Sequence, residues 1–476
     1  MGRFLLFTLL LSYAPGAVPG GAESNYYKVS HTTAGAQPPP PVLLSPRLAV
    51  LQSEVVRGNR SAVEYFWQEI SRQGAPVVER AGDCGSYLHV TFLWRGNPGT
   101  RNVVVLTLDN SQLANAEYLA QAQMSRLPGT DVWFKTYRLR NDARFSYRIA
   151  ENDPLTLLTE QPPEERPRRI AAFKADPLNP RHYASRNGDT SVVELSAAPP
   201  QTLTERRAGA AAGKVEKLTF KSRTLNNERD VWVYTPPGYE RANATCNLLV
   251  TLDGDTYTGG VPAPVILDNL IADGKLPQTV AVMVGNAEGA RLRELWHHEP
   301  FAEFIAGEII PWVRGRYRVT SKASETAIAG SSLGGGEAVH IALRHPEIFG
   351  NVLAQSGGFM YRQRREDSTG PRHPGELLEE DFPESEWLAR QFALGPRLPL
   401  RFYLEAGLLE DVVYRETPPR YAVPSLLVAT RHLRDVLQAK GYAVCHHEYN
   451  GAHETLSWRG TFGDGLISLL GKGCIH

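Results

Sequence analysis

The sequence predicts two domains: an antiparallel β-sandwich, followed by an α/β domain with a mostly parallel sheet covered by helices on both faces. Three observations carry this expectation. Between residues 87 and 149, short alternating or β-branched segments are separated by turns containing Gly and Pro. From about residue 205 onward, strand and helix patterns alternate. An apolar strand, Thr326 to Ala329, runs straight into the small-residue turn Gly330-Ser331-Ser332-Leu333-Gly334 and then into a helical stretch.

The bulk properties are those of a globular chain. Its 476 residues are too many for one ordinary core. Apolar residues make up 42 % and charged residues 21 %, which excludes a disordered chain or a fibre. Basic and acidic residues number 51 each, so bulk charge gives no reason to expect a nucleic-acid or anionic-membrane partner.

In chain order, Arg3, the apolar stretch Phe4 to Leu11 and the small residues from Ala14 to Ala22 read as a signal peptide over 1–22. This predicts a periplasmic or secreted protein, without a membrane partner once the signal is removed. Residues 23–45, ending near Pro38 to Pro41, read as a flexible tether. The first domain is expected over 46–204. It begins with two short helices between Pro46 and Gln73, where Leu48, Leu51, Phe66 and Ile70 recur at helical spacing. Strands follow at Tyr87 to Trp94, Asn102 to Thr107, Asp131 to Tyr137 and Arg144 to Ile149. Residues 150–195, rich in Pro, Arg and Asn, are expected to be irregular chain laid over a surface. Ala197 to Gly213 reads as a linker, with the boundary near 205.

The second domain, 205–476, offers strands at Arg229 to Tyr234, Asn247 to Leu252, Thr279 to Val284, Thr326 to Ala329, Asn351 to Gln355, Arg401 to Ala406 and Ala443 to Tyr449. Helices are expected at Phe301 to Val313 and Pro424 to Lys440. Of the four cysteines, Cys84, Cys246, Cys445 and Cys474, the pair to test first is Cys445 with Cys474. No C-x-x-C spacing suggests zinc, and no metal or organic cofactor is expected.

The chemistry centres on Ser332. A serine on a tight strand-to-helix turn stands clear of its own backbone, and its small neighbours let that turn close. Such a turn in the middle of a parallel sheet is the α/β-hydrolase arrangement. A serine hydroxyl needs a base, which in this arrangement comes late in the chain. His453, in the loop after the last strand, is the candidate; His446 and His447 lie inside that strand and His297-His298 lacks ligand spacing. The acid is expected between serine and base in sequence. Glu410, three residues past Gly407, is the candidate and Asp411 its competitor, whereas Glu405 falls within the strand. The Leu333 and Asp255 N–H groups are the expected oxyanion donors.

Taken together, these residues resemble the enterochelin (ferric enterobactin) esterase family. Leu127 to Trp133 and Asp176 to Pro180 are similar to its N-terminal domain. Leu252-Asp-Gly254, Arg291, Glu294, Gly330 to Gly335, Gln355 to Gly357, Leu404 to Gly407, Glu410, Gly451 to His453 and Trp458 to Gly460 match in order through the rest. The resemblance implies an immunoglobulin-like first domain and a serine esterase acting on a catecholate siderophore, a small-molecule trilactone. It also implies that Ser332, His453 and Glu410 occupy the catalytic positions and that Arg291 and Arg293 face anionic catecholates. Tyr257 stands where the family has a cleft-lining tryptophan, and Trp458 is expected near substrate. Export and this tyrosine depart from the family pattern. A carbohydrate-linked ester, feruloyl or acetyl, is therefore a second reading, and a non-catalytic binding protein using the sandwich a third.

Overall fold

Pro46 occupies the first turn of a helix whose Leu48 N–H is accepted by the Ser45 hydroxyl, which caps it. The computed structural model describes residues 43–82, 85–107, 112–113, 115–185, 188–241, 244–362, 385–411, 414–415 and 422–471. The signal segment, most of the tether, Cys84 and Cys474 lie outside them, and so does any Cys445–Cys474 bridge. Cys246 is buried, and the Cys445 sulfur accepts from the Ser468 hydroxyl at 2.9 Å.

The two expected helices are α1 (Pro46–Val56) and α2 (Ala62–Gln73). They are followed by strands β1 (Val77–Arg80), β2 (Tyr87–Arg95) and β3 (Val103–Leu106), helix α3 (Ala116–Ala122), and strands β4 (Ser125–Arg126), β5 (Val132–Arg140) and β6 (Arg144–Glu151). Helix α4 (Arg166–Ala172) and strands β7 (His182–Ser185) and β8 (Gly188–Glu194) complete this part. The strands form two antiparallel sheets, in the orders β1-β2-β5-β4 and β3-β6-β8-β7. Phe92 of one sheet meets Tyr147 of the other edge-to-face, with ring centroids 4.6 Å apart. Leu48, Leu51, Phe66, Trp67 and Ile70 from α1 and α2 pack on Leu93, Val132 and Phe134 of the first sheet.

The expectation of irregular chain over 150–195 is corrected here, because that stretch supplies α4 and two strands of the second sheet. Its Pro, Arg and Asn residues concealed a pairing set by a distant partner. Strand β8 is held by β6, with Phe145 opposite Val193 and Tyr147 opposite Ser191.

Residues 197–213 form neither helix nor strand, yet they are fixed in place. The Gln201 side chain donates to the Leu456 carbonyl at 2.7 Å, and Asn269 donates to the Leu203 and Glu205 carbonyls. Next come β9 (Lys214–Ser222), β10 (Asn227–Thr235) and β11 (Asn247–Leu252), helices α5 (Gly254–Thr258) and α6 (Ala263–Ala272), and β12 (Thr279–Val284). Helices α7 (Arg291–Glu294), α8 (Glu299–Phe304) and α9 (Ile310–Arg316) lead to β13 (Thr326–Ser331), α10 (Leu333–Arg344) and β14 (Asn351–Gln355). The remainder is α11 (Trp387–Leu394), β15 (Arg401–Gly407), the short pair β16 (Tyr414–Arg415) and β17 (Ala422–Val423), α12 (Leu426–Ala439), β18 (Ala443–Tyr449) and α13 (Thr455–Leu470). A wide π turn at 305–309 joins α8 to α9 where one helix was expected. Strand β9, rich in lysine and largely exposed, escaped the sequence reading.

These strands form one eight-stranded sheet in the order β18-β15-β14-β13-β11-β12-β10-β9, parallel from β18 to β12 and antiparallel at β10 and β9. Helices α8 to α12 contribute to the core on one face, and α6 and α13 to the core on the other. Strand β13 lies in the middle, so its C-terminal end emerges between two parallel neighbours, where parallel sheets place their ligand crevices.

Beneath α7 the Arg229 guanidinium makes two bonds to Glu294, at 2.8 and 3.1 Å, with both side chains fully buried and Phe304 stacked 4.6 Å from the charge. Asn227 donates to the same carboxylate at 2.8 Å. Removing one member leaves a buried charge uncompensated, so Glu294→Ala is expected to lower stability by about 3–5 kcal/mol in urea denaturation. Replacing both, Arg229→Met with Glu294→Leu, should recover most of that loss. A single variant as stable as wild type would show that the pair is dispensable.

Candidate active site

Strand β13 ends at Ser331, and Ser332 turns the chain into α10 with φ 58° and ψ −125°, a conformation that costs a side-chain-bearing residue on the order of 1–3 kcal/mol. The surroundings enforce it. The Ser332 N–H donates to the Gln355 carbonyl at 2.9 Å, and the Ser332 carbonyl accepts from Gly358 at 2.9 Å and from Gly335 at 3.1 Å. A Cβ at Gly330 would strike the Gly334 carbonyl, so the close approach of strand to helix requires glycine there.

The turn presents the Ser332 hydroxyl to His453, with Oγ 2.9 Å from Nε2, and His453 Nδ1 lies 3.1 Å from Glu410 Oε2. Three residues separated by as many as 121 positions therefore form one hydrogen-bonded chain. Glu410 is buried, and its Oε1 accepts the Gly407 N–H at 2.9 Å and the hydroxyls of Ser356 at 2.6 Å and Tyr449 at 3.0 Å. Asp411 points elsewhere and accepts from the Ser425 hydroxyl at 3.1 Å.

Leu333 is the first residue of α10, and Asp255 is the second of α5, whose entry at Asp253 is left-handed with φ 54°. N–H groups in the first turn of a helix have no intrahelical acceptor and stay available to an incoming oxygen. Gly254 is packed against the Met283 backbone, where a Cβ would lie 2.7 Å from its carbonyl.

The expected substrate contacts divide. Arg291 borders the cleft, but its guanidinium is held by both Asp253 oxygens at 2.7 Å. Arg293 is half exposed, away from the cleft lining, with Glu294 at 3.8 Å. The expectation that Tyr257 lines the cleft is corrected: it is fully buried, packs on Phe462 and donates to Gln355 Oε1 at 3.1 Å. Short helix α5 turns this side chain down into the core between the sheet and α13. Trp458 does border the cleft, with its ring edge-on to His453 at 5.0 Å, and its indole N–H donates to Ser356 Oγ at 2.9 Å. Ser356 thus ties Trp458 to Glu410. Sequence reasoning gave it no role, although Gln355-Ser356-Gly357 was among the matching motifs.

The N-terminal sheets supply a wall of the cleft through Leu106, Ser146 and Arg148, opposite Ser332 and His453. His297 is buried beside the Arg362 carbonyl, and burial lowers it to about 3. Burial opposes a charge on His340 too, but the Glu337 and Glu299 carboxylates outweigh it and hold it high. Among the described residues no cluster of His, Cys, Asp and Glu could hold a metal ion.

Comparison with known proteins places this geometry in a family. Residues 222–469 match the family "Putative esterase", and residues 89–204 match "Enterochelin esterase, N-terminal". The chain belongs to this esterase family. It is 28 % identical over 433 residues to the iron(III) enterobactin esterase of Dickeya dadantii, covering 86 % of this chain and 93 % of that one. It is 27 % identical to the iron(III) salmochelin esterase of Escherichia coli O6:H1, covering 89 % of this chain and 98 % of that one. The enterobactin esterase of Shigella flexneri, solved in the presence of enterobactin, superposes with a TM-score of 0.62 at 26 % identity, over 85 % of this chain and 97 % of that one.

A second carboxyl of this esterase lies behind the site. Glu405 is fully buried on β15, where its Oε1 accepts from Gln355 at 2.7 Å and Thr461 at 2.6 Å, while Oε2 has no hydrogen-bond partner among the described residues. Burial pushes its pKa up to about 8 from 4.5, against the two hydrogen bonds and with help from the neighbouring Glu410. The folded state therefore keeps a proton that the unfolded chain releases. The associated stability is full below pH 4.5 and is lost as pH rises through about 8. Relative to Glu405→Gln, wild type should lose stability on the order of a few kcal/mol across that window in urea melts. Parallel pH curves for the two proteins would rule out a buried proton.

Proposed function

We propose that this esterase hydrolyses the ester bonds of a catecholate siderophore, a trilactone of the enterobactin kind, using Ser332, His453 and Glu410. The observation that carries the reading is the unbroken contact from Ser332 Oγ through the His453 ring to Glu410, at 2.9 and 3.1 Å. The substrate class draws its support from the relatives. The full-length matches are enterobactin and salmochelin esterases, and the similar Shigella flexneri structure was solved in the presence of enterobactin.

In the proposed mechanism His453 Nε2 takes the Ser332 proton as Oγ attacks the ester carbonyl carbon. Glu410 holds the imidazole with Nδ1–H toward itself and stabilises the imidazolium. The N–H groups of Leu333 and Asp255 receive the developing oxyanion. Collapse expels the alcohol, which takes the proton from His453 and leaves an acyl-serine. Water, deprotonated by His453, then attacks that ester and releases the acid and free Ser332. The chain's own residues complete the cycle, and iron belongs to the substrate.

We further propose that residues 1–22 direct export to the periplasm or beyond, supported by Arg3, the apolar run and the small residues that follow. An immunoglobulin-like sandwich over 46–204 is supported by two facing antiparallel sheets of four strands, and a boundary near 205 by the strand-free stretch 197–213.

Chromatography of products from ferric enterobactin, with feruloylated xylan as competitor, tests the substrate class. The expected outcome is release of dihydroxybenzoylserine products, with kcat falling at least about a thousandfold in Ser332→Ala. Preference for xylan would replace the siderophore reading. Unchanged turnover in Ser332→Ala would remove the triad itself.

A further inference from the structure

Strand β6 is paired unevenly. Its second half, residues 148–151, lies beside β3, and its first half, residues 144–147, lies beside β8. Among the described residues the other edge of the first half has no strand beside it, and an unpaired edge presents N–H groups at alternate residues. Arg144 and Ser146 are those residues, and both donate to the loop that carries His453. The Arg144 N–H donates to the Asn450 carbonyl at 3.0 Å, and the Ser146 N–H to Glu454 Oε1 at 2.7 Å. The Ser146 hydroxyl makes a second, short bond to Glu454 Oε2.

Further bonds flank this loop. The Asn450 side chain donates to Asp142 at 2.8 Å, and the Tyr183 hydroxyl pairs with Thr455 Oγ1 at 2.7 Å. Gly451 is pressed so closely that a Cβ there would lie 2.9 Å from the Arg144 carbonyl. Residues 450–455 thus dock along the first half of β6, with His453 among them. Glu454 is also the first carbonyl of α13: it accepts from Ser457 at 3.0 Å and Trp458 at 3.1 Å. One residue therefore ties the N-terminal sheet both to the loop that carries His453 and to the start of the helix bearing Trp458.

We propose that Glu454 is a positioning residue for His453, and that the N-terminal sheet exerts this control through Ser146. The inference rests on His453 being the general base proposed above. It gives the first domain a part in the chemical step as well as a wall of the cleft. Displacing a reacting group by about 1 Å can cost on the order of a hundredfold in rate, so the carboxylate's two bonds to Ser146 should show in kcat.

The test is steady-state hydrolysis of a small chromogenic ester, too small to span both walls of the cleft, by the full chain. In Glu454→Ala, kcat is expected to fall about 10- to 100-fold with KM within about twofold of wild type. Glu454→Gln keeps an oxygen for the Ser146 N–H and an amide for its hydroxyl, and should recover kcat to within about threefold. Ser146→Ala keeps the backbone bond and should lose about 3- to 10-fold; it carries the test alone if Glu454→Ala fails to fold. Wild-type kcat in a folded Glu454→Ala, or in Ser146→Ala when that variant stands alone, overturns the proposal. A Gln variant as impaired as Ala does so too, as does a loss that follows the unfolded fraction on thermal melting. Ser332→Ala in parallel separates the two readings: if it is inactive while Glu454→Ala is normal, only the positioning role fails.

Discussion

The site depends on a backbone conformation that the chain adopts at a cost. At Ser332 the chain leaves β13 with φ 58°, a region in which a residue with a Cβ is strained, and nothing local to the serine favours it. Packing holds it there. Gly330 lets helix α10 fold back against the strand, and the Ser332 amide and carbonyl are bonded to Gln355, the last residue of β14, and to Gly358 just beyond it. With that turn fixed, the hydroxyl points into the crevice above the sheet, and Glu410 and His453, which follow β15 and β18, reach the same end. The parallel order of the sheet ensures that they do, since parallel strands all end on one side.

Two carboxyls on the same stretch of chain meet different surroundings. Glu410 collects three hydrogen-bond donors on one oxygen and meets His453 with the other. Glu405, five residues earlier on the strand, receives two donors on one oxygen and burial around the other, and burial prevails. Ser356 and Trp458 then act on Glu410 from the cleft side, and the aromatic edge beside His453 is itself held by the same serine.

What the sequence made legible follows from how local each signal was. The glycine turn around Ser332, the apolar strands of the central sheet and the order serine, acid, histidine are properties of short segments, and the structure brings Ser332, Glu410 and His453 into mutual contact. Strands β7 and β8 were missed because their residues are ordinary loop formers, and only the pairing of β8 with β6 and of β7 with β8 makes them extended. Tyr257 was misplaced because a position in a motif does not tell which way a short helix faces, and α5 faces it inward. Glu454 carried no signal at all: its partner Ser146 is 308 residues away.

The same distinction bears on charge in the cleft. Arg291 looks in sequence like a free cation for an anionic catecholate, but both Asp253 oxygens lie 2.7 Å from its guanidinium and Asn286 donates to that carboxylate at 2.6 Å. A bidentate pair of this kind is locally neutral, and separating it to serve a substrate would strand a carboxylate that is itself buried. Asp253 is also the left-handed residue that starts α5 and so sets the position of the Asp255 amide. The arginine therefore first braces the turn at Asp253 that opens α5, with its field on a bound anion reduced by the aspartate it braces. Its contribution lies in geometry more than in charge, and it comes from α7, outside the segment it holds.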